Sequence, residues 1–391
     1  MAKRQIYLDH AATTPLDPRV FDAMLPYLKE HFGNASSVHA LGRKARYAVE
    51  ESRERISAIL GVAPGDVIFT SGGTESNNAA IKGVLKNSAG GVLTSVVEHE
   101  AVLTQAKGLE SAGNTVKFLP PDRYGRISLA QIQEQQLDDI AIMSFMHANN
   151  EVGVLNDISA IGEFCASKDI IFHTDAVQTA GWYDWQSVIN HVDLVSISAH
   201  KFYGPKGAGC LVATRNAEIK GIIEGGSQER RRRGGTENVA GIVGMAEALA
   251  LASQERDARV SHLSMLQVHL LKALESTLGK DRYVLNTSTE PSENAPHIVN
   301  IAFPPIDGEA VDGEMLILNL DVEGVLVSSG SACTSGAIEP SHVLLGLNLD
   351  QDTASAAVRF SMGKDNTLEE IDYAVDKLGM IMKRMREKSN V

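Results

Sequence analysis

Only three cysteines, Cys165, Cys210 and Cys333, occur in 391 residues. So few thiols cannot form a disulfide framework for a chain of this length. They fit a reducing compartment, where any special thiol is kept for its chemistry. Long apolar runs are also missing. No stretch approaches the ~20 uninterrupted apolar residues of a membrane span, and Met1-Ala-Lys-Arg-Gln-Ile6 has no apolar signal core. The expectation is a cytoplasmic protein with no membrane association. Positive charge is short as well: 36 Lys and Arg face 49 Asp and Glu, a net charge of −13. That balance argues against direct nucleic-acid binding. The local exception is Arg230-Arg-Arg-Arg233, either a solvated turn or a local anion site. Internal repeats, low-complexity tracts and an obvious linker are absent too.

What is present is a chain with 43 % hydrophobic and 22 % charged residues, ordinary for a globular enzyme and long enough for two domains. Strand and helix patterns alternate through most of it. Strand-like runs at 67–70, 92–95, 116–119, 140–145, 170–174 and 194–198 are interleaved with helical runs at 74–85, 100–113 and 158–167. Helical spacing also covers 17–30 and 43–60. Gly209 to Ala213 reads as an edge or antiparallel strand. The pattern predicts an α/β fold: a mostly parallel sheet with helices on both faces. After Gly235 the pattern changes to one or two long helices over 237–276. Strand-like segments near 299–303 and 325–327 follow, with helices near 308–320 and 368–383, which predicts a smaller α+β domain. The expected division is 16–257 for the large domain. Residues 1–15 and 258–391 form the small one, carrying a mobile loop at about 328–338.

Candidate chemistry gathers at strand ends. Lys201 follows the strand 194–198 and precedes a turn containing Gly204, Pro205, Gly207 and Gly209. Open α/β sheets bind ligands at that edge, so Lys201 is read as a Schiff-base lysine; alone, a surface lysine is the commoner case. Ser71-Gly72-Gly73-Thr74-Glu75 lies between a strand and a helix, where bare N–H groups favour a phosphate. An ordinary turn with Thr74 as N-cap is an equal alternative. Asp175 ends a strand and can pair with a protonated ring nitrogen, with Gln178 at helical spacing to reach a ring oxygen; a helix N-cap is the plainer reading of Asp175. His99 follows another strand and can stack on a ring and move protons near neutral pH; a structural histidine is the default. The turn 147–153 puts amide side chains at the same edge. Seven of the nine residues Ser328 to Gly336 are Ser, Gly or Thr, around Cys333. A thiol in such a loop is a mobile nucleophile rather than a buried structural cysteine. Arg359 interrupts a strand-like run and can fork onto a carboxylate; a structural ion pair is its alternative. A Schiff-base lysine, a ring-nitrogen carboxylate and a phosphate cradle together suit pyridoxal phosphate.

These motifs resemble the class V aminotransferase superfamily, pyridoxal-phosphate fold type I, and within it the cysteine desulfurases of the NifS/IscS type. The resemblance spans Tyr7-Leu-Asp-His-Ala-Ala-Thr-Thr-Pro15 to Arg359-Phe-Ser-Met-Gly363. It includes Phe32-Gly-Asn34, Asn149-Asn-Glu-Val-Gly153, His173-Thr-Asp-Ala-Val-Gln178, Ser198-Ala-His-Lys201 and Ser328-Ser-Gly-Ser-Ala-Cys-Thr334. It implies that Lys201 holds pyridoxal 5'-phosphate and later moves protons. Asp175 would pair with the ring nitrogen, Gln178 with the 3-oxygen, and His99 would stack on the ring. Gly73, Thr74, Ser198 and His200 would bind the phosphate, and Thr236 would reach the phosphate of a second subunit in a homodimer. Arg359, Asn150 and Asn34 would grip the substrate carboxylate. Cys333 would take sulfur from L-cysteine as a persulfide, leaving alanine. An acceptor protein, an iron–sulfur scaffold or a tRNA-thiolation enzyme, would receive the sulfur. No metal is implied. The rival readings are a selenocysteine lyase, another class V enzyme, or a non-catalytic sulfur-relay scaffold.

Overall fold

The computed structural model describes residues 5–214, 217–305, 308–329 and 340–388. Its strands in chain order are β1 (Ile6–Tyr7), β2 (Val67–Thr70), β3 (Gly91–Ser95), β4 (Val116–Leu119), β5 (Ile140–Ser144), β6 (Ile171–Asp175), β7 (Leu194–Ser198), β8 (Gly209–Ala213), β9 (Val284–Leu285), β10 (Ile298–Ala302), β11 (Val325–Leu326) and β12 (Ala357–Ser361). Its helices are α1 (Pro18–Lys29), α2 (Ala40–Leu60), α3 (Gly73–Leu85), α4 (Glu100–Ser111), α5 (Leu129–Gln133), α6 (Ile158–Ser167), α7 (Val239–Gln254), α8 (Arg256–Leu278), α9 (Gly313–Val322), α10 (His342–Gly346), α11 (Gln351–Ser355) and α12 (Leu368–Lys388).

Seven strands make the main sheet in the order β2-β8-β7-β6-β5-β3-β4. Only β8 runs against its neighbours, and it pairs with both β2 and β7. It is therefore antiparallel, as its sequence allowed, but it is not an edge. Its residues are all buried, as a strand covered on both faces must be. Neighbouring residues serve opposite faces. Val195, Ile197, Cys210 and Val212 pack with α2, α6 and α7. Leu194 and Leu211 pack with Ile81 and Val84 of α3 and Val102 of α4. Helices thus cover both sides of a mostly parallel sheet.

A second core gathers Leu263, Leu266, Leu270 and Leu274 of α8, at helical spacing, with Val299 and Ile301 of β10 and Val358 and Phe360 of β12. Here β10 lies antiparallel between β12 and β9. The change of core falls between α7 and α8. Ile6 and Leu8 also join this second core, because β1 pairs in parallel with β11. The N-terminal arm then returns over the main sheet, where Thr14 N and Oγ1 both donate to His200 O at 2.9 Å. Among the described residues no helix is long and apolar enough to cross a membrane.

The four arginines lie in a turn where Glu229, Arg230 and Arg231 all have positive φ, at 43°, 56° and 66°. Left-handed non-glycine residues cost of order 1 kcal/mol each and need outside restraint. The restraint is the buried Glu229 carboxylate. It accepts from Arg53 Nη1 and Nη2 at 2.8 Å each and from Phe69 N at 3.0 Å. Arg232 donates to Gly65 O and Arg233 pairs with Glu75, so two of the four arginines are anchored inward. Replacing Glu229 by Ala leaves Arg53 with the Val67 carbonyl and, as its charged partner, the half-exposed Glu50. A loss of about 3 kcal/mol is expected, read as a fall in the urea midpoint; an unchanged midpoint would contradict this role.

Candidate active site

The main-sheet strands that feed the candidate site deliver their residues at their carboxyl ends, while Arg359 comes from the middle of β12. The chain leaves β7 through a single 3₁₀ turn, Ala199–Lys201, which turns Lys201 back over the sheet edge. The turn closes through Tyr203, whose φ is 68° and whose N–H donates to Thr14 Oγ1. β6 ends on Asp175, and β3 leads into His99. β2 leads into Ser71-Gly72-Gly73 and α3. Together these ends enclose a cavity of about 390 Å³. Its wall contains Lys201, Asp175, Gln178, His99, Gly73, Thr74, Ser198, His200, Asn150 and Arg359, with Ser328 at one side.

Lys201 Nζ donates to the carbonyls of Ala11 and Ala12, at 2.5 and 2.8 Å. Burial, followed by the charge of Arg359, pulls its amine down to about 8. Ala11 O also accepts from Gln178 Nε2 at 2.9 Å. One carbonyl of the arm therefore ties two site residues together. Asp175 Oδ2 accepts from Asn77 Nδ2 at 2.6 Å, and Oδ1 accepts from Val177 N at 2.9 Å. Asp175 is thus the last residue of a strand, not a helix cap, and both oxygens are held.

His99 is the N-cap of α4: its Nδ1 accepts from Ala101 N at 3.0 Å. That bond assigns the proton of the neutral ring to Nε2. Burial lowers its pKa, assisted by Lys201 and opposed by Asp175. His200 is pulled down to about 4, by burial first and then by Lys201 and Lys206. Its Nδ1 lies 3.1 Å from Thr13 Oγ1. The preceding Glu98 is fully buried and pushed up to about 8 by desolvation. It accepts from Met146 N and Ser95 Oγ, which ties the ends of β3 and β5 together.

The N-terminus of α3 is open. Its N-cap is Gly72, not Thr74, and no side chain caps it. Thr74 instead lies inside the first turn and on the cavity wall. A Cβ on Gly209 would sit 2.6 Å from Gly72 Cα, so the bare turn can lie against β8 only because that position is glycine. A Cβ on Gly73 would meet Val177 at 2.6 Å. Glu75 closes the turn by accepting from Ser71 N, and pairs with Arg233.

Arg359 is 4 % exposed. Its Nη1 donates to Asn150 O at 2.9 Å and its Nη2 pairs with Asp9 at 2.8 Å. Three buried polar atoms of wall residues lack a hydrogen-bond partner among the described residues: Asn77 Oδ1, Asn150 Oδ1 and Arg359 Nε. Unpartnered buried polar atoms in one cavity are where a polar ligand fits. An open helix N-terminus, a held carboxylate and a desolvated amine match the phosphate, ring nitrogen and aldehyde of pyridoxal phosphate.

Asn34 and Thr236 are not brought to this cavity. Both are exposed, and Asn34 Oδ1 is used by the N–H of Ser36 in its own turn. The expected grip of Asn34 on a carboxylate is therefore absent from the cavity of its own chain. Cys333 lies outside the described residues. Sequence reasoning missed Asn77, whose signal was its spacing of one turn from Thr74 on α3. It also missed Asp9, Ala11 and Ala12, which act largely through backbone or through another side chain.

The lowered Lys201 pKa carries a sign. The folded apoprotein holds this proton less tightly than the unfolded chain, so the group opposes folding below about pH 8, and the opposition fades as pH rises toward the usual lysine range. Competitive acetylation of the apoprotein should show Lys201 titrating near pH 8, well below the surface lysines. Titration together with the surface lysines would refute its desolvation.

Comparison with known proteins agrees over nearly the whole chain. The aminotransferase class V family model matches residues 6–374. The cysteine desulfurase IscS of Dictyoglomus turgidum is 44 % identical over 387 residues, covering 98 % of this chain and 96 % of that one. Among solved structures, a NifS-like protein superposes with a TM-score of 0.88 at 34 % identity, covering 97 % of this chain and 100 % of that one. SspA in complex with cysteine gives a TM-score of 0.78 at 32 % identity, covering 91 % and 98 %.

Proposed function

The chain belongs to the class V aminotransferase family, and from that membership we propose that it is a pyridoxal-phosphate-dependent cysteine desulfurase of the NifS/IscS type. The observation that carries the reading is the single cavity in which a desolvated Lys201 shares a wall with Asp175 and His99. A non-catalytic scaffold has no need of a buried, free-amine lysine there.

Lys201 would hold the cofactor covalently, Asp175 would face its ring nitrogen, and Gln178 its 3-oxygen. Gly73, Thr74, Ser198 and His200 would take the phosphate. When bound, the cofactor supplies an electron sink for carbanion chemistry. The chain's own groups do the rest. Asp175, held by Asn77 and Val177, stays oriented toward the ring. Lys201 Nζ moves the substrate α-proton, and its low pKa suits it to do so near neutral pH. His99 offers a proton from Nε2. Arg359 and Asn150 receive the carboxylate of L-cysteine. Cys333 attacks the substrate sulfur as a thiolate. The sulfur becomes sulfane sulfur on Cys333 while the substrate β-carbon becomes the methyl of alanine, so no outside oxidant or reductant is needed. The persulfide then passes to an acceptor protein of iron–sulfur assembly or tRNA thiolation.

We also read the two cores as two domains, 16–257 and the remainder. The enzyme is proposed to be a cytoplasmic homodimer. Support comes from Thr236, which lies exposed and away from its own cavity, and from the exposed apolar side chains Leu28, Phe32, Val38 and Tyr47 along α1, α2 and their connection.

With L-cysteine, the holoenzyme should release alanine and acquire a persulfide in step with it. Pyruvate without persulfide would overturn the desulfurase reading. Cys333→Ser should abolish the persulfide and keep the yellow colour; full sulfur transfer by that variant would remove Cys333 from its role.

A further inference from the structure

Given the reading of Arg359 as the carboxylate clamp, on which it rests, we propose that Asp9 is the positioning residue that sets this clamp and so confers selectivity for substrates bearing an α-carboxylate. Asp9 does not line the cavity. It lies behind Arg359, its Oδ1 2.8 Å from Nη2. Among the described residues the guanidinium is otherwise held only on Nη1, by Asn150 O. Nε is buried and has no partner among the described residues.

The arrangement divides the donors of the guanidinium. A free arginine has five N–H groups and several rotamers. Here the backbone of Arg359 is locked by reciprocal hydrogen bonds with Ser328: Arg359 N donates to Ser328 O and Ser328 N donates to Arg359 O. Asp9 and Asn150 O then hold the two Nη atoms. Nε–H and one N–H on each Nη are left uncommitted among the described residues, on a side chain already lining the cavity. A carboxylate arriving there meets a donor whose orientation has been fixed beforehand, so little side-chain freedom is lost on binding. Asp9 also supplies the countercharge without which a guanidinium this deeply buried would be unpaired. The neighbouring Tyr7 hydroxyl registers both charges: its pKa is raised by burial and then by Asp9, and lowered by Arg359.

Asp9 itself is fixed by the arm. Ile6 and Tyr7 pair with Val325 and Leu326, and Asp9 bridges to Ser361 on β12, two residues beyond Arg359. The arm thus carries Asp9 beside the clamp and, two and three residues later, presents the carbonyls that hold Lys201. An amine without a carboxylate makes no use of Arg359, and its binding should be indifferent to Asp9.

The test uses holoenzyme and two sulfur-free ligands, the product L-alanine and ethylamine, which is alanine without its carboxylate. Dissociation constants are read from the change in the visible band, and retention of that band in the free variants reports a folded site. Asp9→Ala and Arg359→Gln should each weaken L-alanine by about tenfold or more and leave ethylamine nearly unchanged. Asp9→Asn, which keeps an acceptor oxygen, should fall between Asp9→Ala and the parent. The double variant Asp9→Ala/Arg359→Gln should be no weaker than Arg359→Gln alone. The KM for L-cysteine should rise in Asp9→Ala with little change in kcat. If Asp9→Ala binds L-alanine normally while Arg359→Gln does not, the positioning role is overturned and the clamp stands. Equal weakening of both ligands by Asp9→Ala also overturns it, in favour of a structural role. Normal L-alanine binding by Arg359→Gln would overturn the clamp and the role of Asp9 together.

Discussion

The site depends on removing one ammonium group from water at the carboxyl edge of a parallel sheet. Burial takes Lys201 from the ordinary lysine value of 10.5 to about 8, a penalty of roughly 3 kcal/mol against the charged form. The hydrogen bonds that make this tolerable come from outside the sheet. Two carbonyls of the N-terminal arm, Ala11 and Ala12, receive the amine. The arm reaches them because β1 is a strand of the second core, paired with β11, before the chain crosses to the main sheet. The two cores are thus joined at Lys201 by the first described residues of the chain, and the register of β1 bears directly on the proposed active site.

The surrounding charges follow from the same desolvation. Asp175 is held by two donors, so its carboxylate has a fixed aim. His99 spends one ring nitrogen on capping α4, which leaves the other for the proton transfer proposed for it. The α3 N-terminus is left without a side-chain cap and sits against β8, which only glycine at 209 permits. Each group is placed on a rigid strand end or helix start, which gives tighter geometry than a loop would. Cys333 is the contrasting case. In its proposed role it would have to visit both the cavity and an acceptor, and the Ser/Gly-rich sequence around it suits that demand.

The main sheet and its helices were legible because their apolar periods are clean. The segments 67–70, 116–119, 158–167 and 194–198 have the same bounds in sequence and structure. Lys201, Asp175, His99 and Thr74, which line one cavity, could be picked out as candidates because reactive residue types follow apolar strands. The orientation of β8 within the sheet was harder. Its uniform apolar run Gly-Cys-Leu-Val-Ala signalled burial on both faces, and that signal outweighs the suggestion of an edge. The helix expected near 308–320 forms at Gly313–Val322, where Asp312 caps it through Met315 N. The contribution of Ala11 and Ala12 was illegible for a physical reason: a carbonyl oxygen is common to all residues, and nothing in an alanine marks it as an acceptor for a distant amine. Asp9 and Asn77 act through Arg359 and Asp175, and contacts between residues 350 or 98 positions apart leave no local pattern. Asn34 is a different case: its motif suggested a site residue, and in its own chain its side chain closes its own turn, away from the cavity.

The central claim is that Lys201, and no other lysine, is the desolvated amine that carries the cofactor. Borohydride reduction of the yellow protein, followed by proteolysis and mass spectrometry of the phosphopyridoxyl peptide, tests it most directly. A single modified peptide with the group on Lys201 is the predicted result. Stoichiometric modification of a different lysine, or a colour that resists reduction and leaves every lysine unmodified, would contradict it.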